Sequence, residues 1–460
     1  MSLQAGDEDS MSLDSENEKL GLLSGTSTTI ISPSNTTNRV GTSWYASVFI
    51  VVNAALGAGL LNFPKAYNDA GGVLIAIIVQ IVLMVFIIGA LIILAYCSDS
   101  NQSATYQDVI YSMCGRQAQI CCSLAILIYC FGTCITFFII IGDQWDRFLT
   151  FAYGADYCHY WYMSRTFTMI VSSVILILPL CFPKRIDFLK YASIAGVFAV
   201  VYVVILITVK YFVGENHPGP IASEPKHWTS VFLVVPVICF GYQCHVSVVP
   251  IYSCLKHRSV GEFLKTVIVA MGICFATYTG SAVFGYWTFG SYVNADILVS
   301  YKPTPDVLVG IILIAGKIYT TYPILLFCER AAFESVWIEV RSLTPDMVLS
   351  GEKKRRYIQT ISLFSTSLAL AVFIPDIGVV ISMLGALAGV FIFIFPGMCL
   401  LQALLTQPIG VAWKRNILYA LAFGFIVIGT FIFGLVLTQA IIEDVLHPES
   451  SSKKSHSLCQ

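Results

Sequence analysis

Charge is what this sequence has least of: of 460 residues only 12% are Asp, Glu, Lys or Arg, against 57% hydrophobic and 13% aromatic. Soluble domains carry about 25% charged residues, so half that share leaves too little polar surface for a globule in water. Net charge is only −1, which offers nothing to nucleic acid or another polyanion. Metal-ligand spacing is missing too. The fifteen cysteines fall mostly inside apolar runs, among them Cys97, Cys121, Cys122, Cys130, Cys134, Cys239, Cys274 and Cys399, where thiols behave as small apolar groups. No Ser-His-Asp, His-x-x-x-His or paired-carboxylate set stands at a span rim, so no enzyme is expected. No basic segment leads into an apolar core at the start, so no cleaved signal peptide is expected. Residues 1–43 are polar, Ser/Thr-rich and locally acidic, the composition of a disordered tail.

What is present is a series of apolar runs near 20 residues, the length a helix needs to cross about 30 Å of hydrocarbon. Eleven are expected: 44–66, 71–97, 119–142, 164–182, 189–213, 228–254, 263–289, 305–329, 357–375, 378–403 and 415–442. The chain reads as an all-α membrane protein. Seventeen of its twenty-six Lys and Arg lie on segments that a cytosolic N-terminus places in the cytosol, the sense of the positive-inside rule. The C-terminal tail, 443–460, then lies outside or in a lumen.

Two spans contain their own breakers. The first carries Gly57-Ala58-Gly59 and Pro64, and the sixth carries Gly241 between Pro236 and Pro250. Each glycine weakens a helix by about 1 kcal/mol, and each proline frees a carbonyl one turn back. Gly57 lies 13 residues after Trp44, and Gly241 lies 13 after Trp228. That echo suggests two related halves, 44–213 and 228–403, joined by the loop 214–227 and followed by an added segment, 404–442. Interrupted spans at matching positions of two halves are the sequence pointer to a transporter site. Unwound amides and carbonyls cannot be satisfied by hydrocarbon, so they must face water, protein or ligand. Amides around Leu56, Gly57, Ala58 and Gly59 suit a carboxylate, with the dipole of the following half-helix behind them. Carbonyls near Phe240 and Gly241 suit an ammonium or a metal cation. Together they fit the head group of any α-amino acid, with Asn53, Tyr242 and Gln243 suited to an amide side chain and Tyr129 placed to cap the pocket.

Two ionisable residues stand inside spans. Lys317 lies three and four residues before Thr320 and Thr321, on one helix face; an intramembrane lysine is a functional candidate by default. Its ammonium suits a substrate carboxylate, or a cation site in place of a metal ion. His245 is a candidate proton sensor, since an unperturbed imidazole titrates near neutral pH, and a satisfied core histidine accounts for it equally well. The acids Asp143, Asp187, Asp296, Glu329 and Asp376 are expected at span ends or in loops. Pro323 leaves the carbonyl of Tyr319 without its usual donor.

The motifs Asn53-Ala-Ala-Leu-Gly-Ala-Gly-Leu-Leu61 with Gly71-Gly72, Phe240-Gly-Tyr-Gln-Cys-His245 with Pro250-Ile-Tyr252, and Thr320-Thr-Tyr-Pro323 resemble those of the sodium-coupled neutral amino acid transporter family. That family is amino acid/auxin permease-like and sits within the amino acid/polyamine/organocation superfamily. The resemblance covers residues 44 to about 440. It implies a five-plus-five inverted repeat (LeuT-like) plus one extra helix, and transport of glutamine- or asparagine-like neutral amino acids. It also implies a sodium site between spans 1 and 8, served by Asn53 and a hydroxyl of Thr320 or Thr321. The short loop 214–227, with no glycosylation sequon, departs from the family's plasma-membrane members. Proton coupling through Lys317 or His245 is the rival to sodium, and an amino-acid-sensing receptor or scaffold is the rival to a carrier. Finally, Glu18 with Leu22-Leu23 has the spacing of an acidic-dileucine sorting signal, which an adaptor protein would read. It directs the expectation to endosomal or lysosomal membranes, with the plasma membrane as the alternative.

Overall fold

The most apolar run shows how the bundle is made. The computed structural model describes residues 42–154, 159–183, 190–214, 218–225, 227–341, 345–374, 376–406 and 411–440. Over Val73–Asn101 the chain forms helix α3, about 40 Å long at 1.5 Å per residue. Ala76, Gln80, Leu83, Ile87, Ala90, Leu91 and Leu94 are buried at helical spacing, while Leu74, Ile78, Ile81, Val82 and Val85 are exposed. An exposed aliphatic face of that length on a helix otherwise packed in protein is a lipid-facing surface. The same division recurs on α16, Ala412–Ala440, where Ala422 and Phe425 are buried and Phe423 and Val427 exposed.

In chain order the helices are α1 Trp44–Ala55, α2 Phe63–Asp69, α3, α4 Tyr106–Cys114, α5 Arg116–Tyr153, α6 Arg165–Ser172 and α7 Lys190–Val213. Then come α8 Val234–Gly241, α9 His245–Ser253, α10 Val260–Phe289, α11 Ile297–Ser300, α12 Pro305–Arg341, α13 Pro345–Phe373, α14 Ile377–Gly389, α15 Phe395–Thr406 and α16. Eight helices or helix runs among the described residues are long and apolar enough to cross a membrane, nine if the bent pair Trp44–Ala55 and Ala58–Asp69 is one span. The chain is thus an all-helical integral membrane protein. Of the eleven expected spans, two fall short of this test. Arg165–Cys181 is shorter than a span and is broken by a π turn at Ser173–Ile177 and a 3-10 turn at Leu178–Cys181. The run expected over 357–375 occupies only the second half of α13, whose first half carries Lys353, Lys354, Arg355 and Arg356.

Close approaches set the packing. Helix α14 meets α8 at Gly385, where an added Cβ would lie 2.3 Å from the Cα and carbonyl oxygen of Pro236. Backbone cannot step aside as a side chain can. Gly385→Ala is expected to push the helices apart and destabilise the protein by about 1–3 kcal/mol, read as a lower melting temperature of purified protein in detergent. A melting temperature within error of wild type would show that α14 is free to shift. Helix α12 lies along α5, with Tyr322 against Phe138 at 4.7 Å between ring centroids. After α2 the chain turns through Gly71 and Gly72, both at positive φ, where a Cβ would strike Pro225 and the Ala222 carbonyl. The described part of the 214–227 loop is therefore packed onto the end of the first span. At the opposite end, Thr42 pairs with the chain after α9 through Thr42 N–H to Cys254 (2.9 Å) and Lys256 N–H to Thr42 (3.0 Å).

The candidate sorting residues Glu18, Leu22 and Leu23 lie outside the described residues.

Candidate functional site: two helix interruptions around one tyrosine

Helix α1 stops at Ala55. Leu56 closes its last turn through an N–H bond to the Val52 carbonyl (2.7 Å), and Gly57 is extended, with φ −102° and ψ −164°. A 3-10 turn, Ala58–Asn62, leads into α2, which departs 55° from α1. The cause is local: Gly57 and Gly59 carry the least helix propensity of any residue but proline, and Pro64 fits only the first turn of a new helix. In the sixth apolar run α8 stops at Gly241, and α9 starts at His245, with Tyr242, Gln243 and Cys244 between them.

The two interruptions touch. A Cβ on Gly59 would sit 3.1 Å from the Cα of Gly241, and one on Gly241 would sit 2.7 Å from the Phe63 ring. Between them stands a residue from a third element, Tyr278 of α10. Its hydroxyl lies 2.7 Å from the Ala55 carbonyl and 2.8 Å from the Gly241 carbonyl, and it accepts the Gly57 N–H at 3.4 Å. A phenol has one proton to donate, so only one of the two carbonyls holds it at a time. The Tyr278 ring stacks on Phe63, 4.3 Å between centroids. Beside Gly57, by contrast, space is open. An added Cβ there would find only the Ala55 carbonyl oxygen, at 3.9 Å.

Helix α12 brings a charge to the same place. The Lys317 ammonium donates to the Leu56 carbonyl, one of the acceptors freed by the end of α1, and its aliphatic stem passes over Gly196 of α7. The neighbouring hydroxyls turn inward on their own helix. Thr320 bonds the Gly316 and Lys317 carbonyls (3.0 and 2.9 Å), and Thr321 bonds the Lys317 carbonyl (2.8 Å). Two residues further round the helix from Lys317, Tyr319 faces α5, where its hydroxyl accepts the Trp145 indole N–H at 2.9 Å.

Other candidates are held by the protein itself. Tyr242 is fully buried and its hydroxyl receives the Gln80 amide at 2.7 Å, while Gln80 in turn accepts from Tyr67 at 2.5 Å. The Gln243 carbonyl oxygen lies 2.9 Å from Nδ1 of buried His245 and accepts the His245 backbone N–H at 3.1 Å. Two of the three side chains expected to meet an amide substrate, Tyr242 and Gln243, are thus engaged within the fold in this arrangement. Tyr129 of α5 lies 6.1 Å, ring to ring, from Phe240 and 5.8 Å from Phe391, beside the second interruption. Asn53 is half-buried on the last turn of α1, and Ala58 opens the 3-10 turn half-buried.

The structure therefore gathers Leu56, Gly57, Gly59, Phe240, Gly241 and Lys317 around Tyr278, and leaves Tyr319 on another face. Tyr278, Phe63 and Gln80 were not among the candidates. Gln80 is the one amide within the apolar run 73–95, and Tyr278 is a polar-tipped ring in the middle of another span; both need an internal partner. That need was a readable signal.

One acid in a loop beside the site is deeply buried. Asp296 caps α11 through the Leu298 N–H (2.8 Å) and accepts the Gln144 amide (2.8 Å) while only 3% exposed. Burial, followed by the charge of Asp143, pushes its carboxyl up to about 7. Its neighbour Ala295 offers a carbonyl to Asn62 at 3.0 Å, which fastens this loop to the 3-10 turn of the first span.

An all-helical membrane bundle whose interrupted helices meet around freed backbone groups defines a solute-carrier class of protein. The chain belongs to the transmembrane amino acid transporter family, whose family model, described as transmembrane amino acid transporter protein, matches residues 40–442. It is 44% identical over 447 residues to sodium-coupled neutral amino acid transporter 7 of Danio rerio, covering 94% of this chain and 95% of that one. The Homo sapiens protein of the same name is 42% identical over 420 residues, 89% and 90% of the two chains. Putative sodium-coupled neutral amino acid transporter 8 of Xenopus tropicalis is 38% identical over 410 residues, 86% and 92% of the two chains. These relatives are named as transporters, not as enzymes. Among solved structures, the crystal structure of MhsT in complex with L-phenylalanine superimposes with a TM-score of 0.50 at 13% identity, over 87% of this chain and all of that one. That likeness is one of fold.

Proposed function

We propose that this protein is a secondary carrier of small neutral amino acids of the glutamine and asparagine kind, which it binds between the two interrupted helices. The observation that carries the reading is the open space beside Gly57, next to freed backbone groups that Tyr278 and Lys317 hold in place. The amides following Gly57 receive the substrate carboxylate, and the carbonyl end of α8 receives its ammonium, a division that follows from the two helix dipoles. The names of the relatives support sodium as the coupling ion. Lys317 bears on that directly, because its ammonium holds the Leu56 carbonyl that a cation between α1 and α12 would use. Sodium entry then requires Lys317 to move off Leu56, with Thr320 and Thr321 one turn away to supply oxygen. The spacing of Glu18, Leu22 and Leu23 supports a lysosomal or endosomal home, in which the carrier exports amino acids to the cytosol.

The test is uptake of labelled L-glutamine into proteoliposomes of purified full-length protein, with a sodium gradient and a proton gradient imposed separately. Uptake above empty vesicles that rises with the sodium gradient is expected. Failure to move any neutral amino acid under either gradient, in exchange as well as in net uptake, would overturn the proposal.

A further inference from the structure

Glu329 was expected at the end of an apolar run, and it is buried there. It lies within α12, Pro305–Arg341, and is 0% exposed. One carboxyl oxygen, Oε2, is 3.6 Å from the thiol of Cys134 on α5, and the other, Oε1, is buried without a hydrogen-bond partner. Its sequence neighbour Arg330 does not compensate it. The Arg330 guanidinium points to the Cys181 carbonyl (3.2 Å) and to the Thr360 hydroxyl (2.9 Å). The titratable groups that feel the Glu329 charge are Cys130 and Cys134 from α5 and Tyr322 from its own helix, with Cys181 beside Cys134. None of these is cationic.

An ionised carboxylate taken out of water and met by a single thiol is costly, and a group so placed carries a proton instead. In its neutral form the same side chain needs only a weak partner, which Cys134 supplies. We propose that Glu329 is a proton-binding site of the carrier, loaded while the helix ends around it are closed and emptied when they part. Arg330 shows how the two states connect. It ties α12 to the end of the α6 segment at Cys181 and to α13 at Thr360, and these ends lie toward the cytosol on the Lys/Arg distribution. Separating α12 from them to open a cytosolic path breaks the Arg330 bonds and admits water to Glu329. The proton then leaves Oε1 or Oε2 for that water, and the ionised carboxylate, now solvated, no longer opposes the open state. The inference rests on the carrier reading and adds a proton to its cycle, whichever ion accompanies the substrate.

The experiment uses full-length wild type and Glu329→Gln in proteoliposomes that contain a pH-sensitive dye, with labelled L-glutamine as substrate. In wild type, substrate movement is expected to carry protons, and the initial rate to change with pH by up to about tenfold per unit, the limit for one titrating group. Glutamine copies the shape of the neutral acid, so the variant is expected to keep substrate exchange at equal internal and external concentrations. Its dye signal is expected to vanish, and its rate to become flat with pH. A variant that retains the wild-type pH profile would overturn the assignment, and so would wild-type vesicles that take up substrate in net uptake, from outside to inside, without moving protons. The wild-type measurement stands even if the variant does not fold. Absence of exchange in wild type would instead overturn the carrier reading and this inference with it.

Discussion

Gly57→Val is expected to abolish amino acid transport while leaving a folded, membrane-inserted protein. A Cβ at this position meets nothing closer than the Ala55 carbonyl oxygen at 3.9 Å, and φ is −102°, a conformation open to any residue. Fold strain is therefore small. The isopropyl group enters the space proposed for the substrate head group and covers the amides that follow. A head group displaced by even 1 Å loses its oriented hydrogen bonds, at about 1–3 kcal/mol for each charge-assisted one. Loss of two such bonds corresponds to a fall in affinity of about a hundredfold or more. Binding measured by thermal shift with L-glutamine, alongside the melting temperature of the unliganded variant, separates site from fold. Unchanged affinity would move the site away from Gly57. The contrast is Gly241, where the Phe63 ring lies 2.7 Å from an added Cβ. Substitution there damages packing first and tells less about binding.

The second large effect is expected from Tyr278→Phe. The change keeps the ring and its stacking on Phe63, and removes only the hydroxyl that lies between Ala55, Gly57 and Gly241. It removes the one proton that the Ala55 and Gly241 carbonyls share, at about 1–3 kcal/mol unless water or substrate replaces the bond, while the Gly57 N–H keeps its 2.8 Å bond to the Ala55 carbonyl. The two interruptions then lose their common anchor. Transport is expected to fall by about tenfold to a hundredfold, with the larger share in maximal rate, because the hydroxyl orders the site and lies on the backbone of both helices. Initial uptake rates over a range of L-glutamine concentrations check this. Wild-type kinetics in the variant would show that the hydroxyl is only a packing feature.

Much of the fold was legible because hydrocarbon leaves a chain few options. Runs of about 20 apolar residues must be helical when lipid surrounds them, and Val73–Asn101 and Ala412–Ala440 are helices over nearly their whole apolar length. The segments 164–182 and 357–375 were less legible, because composition averages over positions that structure treats separately. Pro179 and a π turn shorten the first, and four basic residues occupy the entry to the second. The burial of Glu329 was missed for a related reason. The end of an apolar run marks where hydropathy falls, not where the protein stops surrounding the helix, and α12 continues past that point against α5.

The interruptions lay open in the sequence because glycine and proline act on the backbone of their own segment, within about one turn. Which groups those interruptions meet was another matter. Tyr278 lies 221 residues from Gly57 and 37 from Gly241, Lys317 lies 261 from Leu56, and Gln80 lies 162 from Tyr242. A helix shows a partner one face of its surface, and the face is chosen by how all the others pack, as Gly385 on Pro236 and Gly59 on Gly241 illustrate. By itself the sequence determined that the chain lives in a membrane as helices, and that two of them break. Only the tertiary structure decided that both breaks face one tyrosine hydroxyl, that the half-buried lysine closes on Leu56, and that Tyr242 and Gln243 are occupied elsewhere. The reason is one of range: backbone propensity acts along the chain, whereas a buried polar group is satisfied by whatever the packing brings within about 3 Å.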